Sequence, residues 1–148
     1  MLLLPSPDFL QIVYRVELGV LVGRWMQPVT PEQLQTGYAA LLDAASAWQC
    51  RWWLIDGRRR THSHKGDSRW MMDAFFPQLA SRLGGKAYLA YLFTPSHLQE
   101  LEAAAEVPKL EYFNDLPYQV ERFIEEQPAM QWLAQRRLLE QVGSAVAQ

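Results

Sequence analysis

The chain has 148 residues, 49% hydrophobic and 20% charged, with a net charge of −2. A domain of this length buries about 70% of the surface its unfolded chain exposes, and the composition excludes a disordered or collagen-like chain. Residues 51–69 carry six basic against two acidic side chains, and residues 97–126 carry eight acidic against two basic ones, which speaks against the broad basic face of a nucleic-acid binder and leaves room for a local anion site.

Met1 is followed by three leucines and then Pro5, with no basic start and no long apolar stretch, so neither a secretory signal nor a membrane span is expected. Leu10, Ile12, Tyr14 and Val16 recur at every second position, as on one face of a strand. Glu17-Leu18-Gly19 supplies a turn into a second strand, Val20–Trp25, and the two read as an antiparallel hairpin. Thr30-Pro31-Glu32-Gln33 has the form of a helix start, with a threonine cap, proline at the first position and glutamine three residues after the cap. Leu34, Tyr38, Leu41, Leu42, Ala45 and Trp48 then keep a helical period to about residue 49.

Residues 51–56 (Arg-Trp-Trp-Leu-Ile-Asp) form a short apolar run ending in an acid, which suits a central strand buried on both faces. A polar loop follows over 57–66, and Asp67 or Ser68 is placed to cap a helix that turns Trp70, Met71, Ala74, Phe75, Leu79 and Leu83 inward, with Pro77 kinking or splitting it. Gly84-Gly85 ends this helix before a second buried strand over 87–93. Thr94-Pro95 starts a helix to about residue 105, and Tyr118–Phe123 alternates as an edge strand. Pro128 opens a last helix, expected to dock Met130, Trp132, Leu133, Leu138, Leu139 and Val142 and to fray from Gly143 onward.

The expected fold is therefore α/β. It has a single five-stranded mixed, mostly parallel sheet with an N-terminal β-hairpin and about four helices in one domain spanning 1–148. The lone Cys50 has no internal disulfide partner, and with no targeting segment in view the expected location is cytoplasmic.

The order of elements, the buried Trp53-Leu54-Ile55-Asp56 ahead of a loop and helix, and the ending Phe123-Ile124-Glu125-Glu126-Gln127-Pro128-Ala129-Met130-Gln131-Trp132-Leu133 together resemble the SpoIIAA-like branch of the STAS superfamily, including bacterial STAS/SEC14-like proteins. The resemblance covers nearly the whole chain. It implies a non-enzymatic regulatory or protein-interaction module. It also implies a phosphorylatable hydroxyl at the start of the helix after the central strand, where Ser68 is nearest, with Thr61 and Ser63 earlier in the loop. A longer loop, residues 56–68, replaces the family's compact Asp-Ser stretch.

Arg58, Arg59 and Arg60 follow the carboxyl end of the central strand, where open α/β sheets usually bind ligands, and guanidinium forks suit phosphate or carboxylate. With Asp56, His62 and His64 they make the candidate contact surface for a protein partner, acidic in character. The alternative is a carrier or sensor of a small anionic or lipid-like molecule, drawn from the same basic rim and the abundance of tryptophan and tyrosine. His62 and His64 stand two apart with no third metal ligand at an obvious spacing, and His97 reads as structural or exposed. No serine elbow, phosphate loop or cysteine–histidine pair is present, so no catalytic residue, metal or cofactor is expected. A homodimer is compatible with this reading, whereas nucleic acid and membrane are not expected partners.

Overall fold

The computed structural model describes residues 1–61 and 63–147, with 144–147 described by their helical backbone alone. Six strands form one sheet in strict chain order: β1 (Leu2–Leu4), β2 (Leu10–Arg15), β3 (Val20–Trp25), β4 (Trp52–Asp56), β5 (Ala87–Leu92) and β6 (Tyr118–Phe123). The first two pairings are antiparallel and the remaining three parallel. The α/β class and mixed sheet are as expected, but there are six strands rather than five. Leu2, Leu3 and Leu4 lie opposite Tyr14, Val13 and Ile12, and a run of three leucines is too short to show an alternation.

Helix α1 (Pro31–Trp48) begins with the capping box expected of Thr30 and Gln33, each side chain bonded to the other's backbone N–H. The chain between β4 and β5 is helical but irregular. It passes from α2 (Asp67–Trp70) through a π-turn (Met71–Phe75) and a 3-10 turn (Phe76–Gln78) to α3 (Leu79–Leu83). Pro77 lies in the 3-10 turn, as a residue without an N–H to donate requires. Neither Asp67 nor Ser68 caps this segment. Gly66 occupies the cap position with φ near +91°, a left-handed value that glycine tolerates, and the Asp67 carboxylate turns back to accept from the His64 N–H at 2.8 Å. Helix α4 (Pro95–Ala103) is capped by Thr94, a 3-10 turn follows at Leu110–Phe113, and α5 (Glu126–Ala147) is the last described element.

Because the order of the parallel strands never reverses, crossovers of one hand must all fall on one side of the sheet. The two cores show this division. Leu21, Trp53, Ile55, Ala87, Leu89, Tyr91, Tyr118 and Val120 face α1, the broken helix and α4. On the opposite face, Val20, Val22, Leu54, Tyr88, Ala90 and Leu92 are covered by α5 alone through Ala129 and Leu133. Trp53, Leu54 and Ile55 are each no more than 1% exposed, so β4 is the central strand expected of it.

Inward assignments at five positions are corrected. Val16 lies in the turn after β2 and is exposed, Ala74 faces solvent on the broken helix, and Leu138, Leu139 and Val142 are 60%, 52% and 52% exposed rather than docked. Length accounts for the last three: α5 has 22 residues, about 33 Å at about 1.5 Å per residue, whereas a six-residue strand spans about 20 Å. The helix therefore overhangs the sheet.

Candidate functional site

The carboxyl ends of the strands place two rows of residues on opposite faces. Gly23, Ile55, Tyr91 and Arg122 are aligned across β3 to β6 on the three-helix face, and Arg24, Asp56, Leu92 and Phe123 on the α5 face. On the α5 face, the Arg24 guanidinium donates to Asp56 at 2.8 Å and pairs with Glu126 in the first turn of α5 at 2.7 Å. Arg58 adds its backbone N–H to Asp56 Oδ1 at 3.1 Å, its Nε to the same oxygen at 2.9 Å, and Nη2 to Oδ2 at 2.8 Å. Burial pushes the Asp56 carboxyl up, but the donors from Arg58 and Arg24 outweigh it and hold the group below the ordinary carboxylate range. Asp56 and Arg58 thus belong to an ion cluster that fastens the start of α5 to β3 and β4.

Arg59 is exposed and touches only the Met26 sulfur at 4.0 Å among the described residues. With Gln11, Arg24, Trp25, Met26, Asp56 and Arg58 it borders a polar cleft of about 400 Å³.

Arg60 turns the other way. It is 9% exposed, its guanidinium carbon lies 5.9 Å from the centre of the buried Trp25 ring, and its Nη1 is 3.7 Å from Asp67 Oδ2. That distance is too long for a hydrogen bond, and among the described residues its Nε and Nη1 have no hydrogen-bond partner. Both Arg60 and Arg122 line a cavity of about 80 Å³ beneath the helices, walled by Met71, Phe76, Phe93, Phe113 and Val120. Arg122 donates to the Pro108 carbonyl at 2.9 Å, and burial lowers its pKa below the usual guanidinium range, with Glu102 and Glu121 acting in the opposite direction.

Tyr38 and Tyr91 share a buried hydroxyl pair at 3.1 Å on the same cavity. Desolvation raises both phenols, Tyr91 well above its ordinary value, so neither supplies a negative charge to Arg60 at neutral pH. The triple-arginine run therefore does not form one surface. Two members meet solvent on the cleft side, and the third enters the interior.

The remaining candidates separate similarly. His62 lies outside the described residues. His64 is exposed, with its ring Nε2 3.1 Å from the Val29 carbonyl. Ser63 Oγ lies 3.1 Å from Nε2 of His97, which is buried at 2% exposure and packed edge-on against Phe93, so the structural reading of His97 holds. Of the three candidate phosphorylation positions, Thr61 is exposed, whereas Ser63 and Ser68 are half-buried on the cavity wall. Among the described residues no group of three or more His, Cys, Asp or Glu side chains could hold a metal ion, and no helix is long and apolar enough to cross a membrane.

Sequence reasoning missed Arg24, Arg122, Tyr38 and Tyr91 as site residues. A signal existed for two of them: Arg24 continues the face of Val20 and Val22, and Arg122 that of Tyr118 and Val120, so each is a charge at an inward-facing strand position. No protein-family model, curated protein or solved structure matches the chain.

Proposed function

We propose that this chain is a non-enzymatic binding module of SpoIIAA-like (STAS) type that takes a small molecule into the cavity at the carboxyl ends of β5 and β6, acting as a carrier or sensor. One observation carries this reading: an apolar-walled cavity of about 80 Å³ into which the buried Arg60 reaches. Sites for small molecules combine such walls with a few convergent polar groups. Volume decides against a lipid-like ligand, because a cavity of about 80 Å³ has no room for a long acyl chain. A fragment screen followed by amide NMR tests the proposal. Bound fragments should shift the signals of Met71, Phe113 and Val120 and leave those of Leu133 and Trp132 on the α5 face in place. Fragments that perturb only the α5 face, or none that perturb the cavity, would overturn it.

A second reading is favoured by Arg59, whose exposed guanidinium stands at the rim of the polar cleft. This surface suits an acidic protein partner in the cytoplasm. Arg59→Glu should then weaken capture of that partner while leaving the fold unchanged. Reversal of Arg58 is a poorer test, since it would break the Asp56 cluster.

A further inference from the structure

Resting on the cavity reading above, we propose that the ligand is a short-chain organic monocarboxylate, its carboxylate held between Arg60 and Arg122 and its few carbons against Phe76, Phe113 and Val120. Charge gives the class. Arg60 and Arg122 bring two positive charges to the cavity wall and Asp67 one negative charge, so the lining itself carries one net positive charge. Glu102 and Glu121 act on Arg122 from outside the lining.

Buried guanidinium N–H groups without hydrogen bonds are costly even beside an opposite charge. Arg60 has two nitrogens, Nε and Nη1, without hydrogen bonds among the described residues. A planar carboxylate matches the guanidinium fork with two parallel hydrogen bonds. Inorganic phosphate would bring a second charge for which no lining cation remains, and it would leave the aromatic wall without a partner. The cavity volume of about 80 Å³ restricts the apolar body to a few carbons.

The test is calorimetric titration of the intact protein with butyrate, its neutral isostere butyramide, octanoate and inorganic phosphate, with amide NMR locating each. Butyrate should bind at the cavity, and the other three at least about tenfold more weakly. Equal binding of butyramide would overturn the carboxylate assignment and leave the cavity reading standing. Equal or tighter binding of phosphate would overturn the organic class, and tighter binding of octanoate the size limit. Absence of any cavity perturbation would overturn both proposals.

Arg60→Met separates a ligand-binding role from a structural one. It should abolish butyrate binding and also lower the melting temperature of the unliganded protein, because the buried Asp67 carboxylate, 3.7 Å from Arg60, loses its charge partner. A fall in melting temperature with butyrate binding intact would assign Arg60 to the fold. Arg122→Gln provides a second variant, expected to weaken butyrate about tenfold or more and to leave any binding of butyramide unchanged.

Discussion

Asp56 holds two guanidinium groups and one backbone N–H on two oxygens. Replacing it by alanine leaves Arg24 and Arg58 to share Glu126 alone, and the loss should be about 2–3 kcal/mol in urea unfolding at neutral pH. Its folded pKa lies below the ordinary value, so its contribution is complete above the unfolded carboxyl pKa of about 3.9 and declines as pH falls through the folded value. Wild type should therefore lose its advantage over Asp56→Asn as the medium is acidified below about pH 4. A gap that stayed constant from neutral to acid pH would remove the charge from the explanation. At this scale the sequence showed which residues were present but not where they point. Arg58, Arg59 and Arg60 are chemically identical neighbours in a loop, where no period dictates direction. Only the folded backbone sends Arg60 under Trp25 and leaves Arg59 outside.

Gly37 lies in α1 where an added Cβ would come 2.4 Å from the Trp25 ring, which is 1% exposed and has no room to yield. Alanine at this position gains about 1 kcal/mol of helix propensity, but overpacking a fixed ring costs about 1–3 kcal/mol or more. Gly37→Ala should thus lower the melting temperature, contrary to what propensity alone predicts. In α5 the contrast runs along the helix. Leu133→Ala should cost about 2–4 kcal/mol, whereas glutamine at Leu138, Leu139 or Val142 should change stability by less than about 0.5 kcal/mol each, all read by thermal unfolding. Elements with strong local chemistry were legible: the Thr30 capping box, the Gly19 turn, and the apolar run of β4. Those set by tertiary partners were not. Strand β1 exists because β2 offers it an edge, and the docked length of α5 is decided by the length of the strands beneath it.

Across the whole molecule, β1 and β6 are the two free edges of the sheet. Deleting residues 1–6 should leave the core nearly intact, since Leu2 and Leu3 are 39% and 71% exposed. It bares the backbone of β2, and unprotected edges pair with other chains. The truncated protein should therefore self-associate, as measured by light scattering after size-exclusion chromatography; a strictly monomeric truncation would show that β1 does not guard that edge. The alternation of strands and helices was enough to give a largely parallel sheet, whereas the one-sided placement of the crossovers became visible only with the strand order. That order also bears on biogenesis. Each strand emerging from the ribosome finds its neighbour already made, so the sheet can grow vectorially, one hydrogen-bonded ladder at a time. The cover for Val20, Val22, Leu54, Ala90 and Leu92 comes from α5, translated after all six strands. Until that helix leaves the exit tunnel, the nascent domain presents a bare apolar slab to solvent, and a chaperone that engages it should let go only as Ala129 and Leu133 close down.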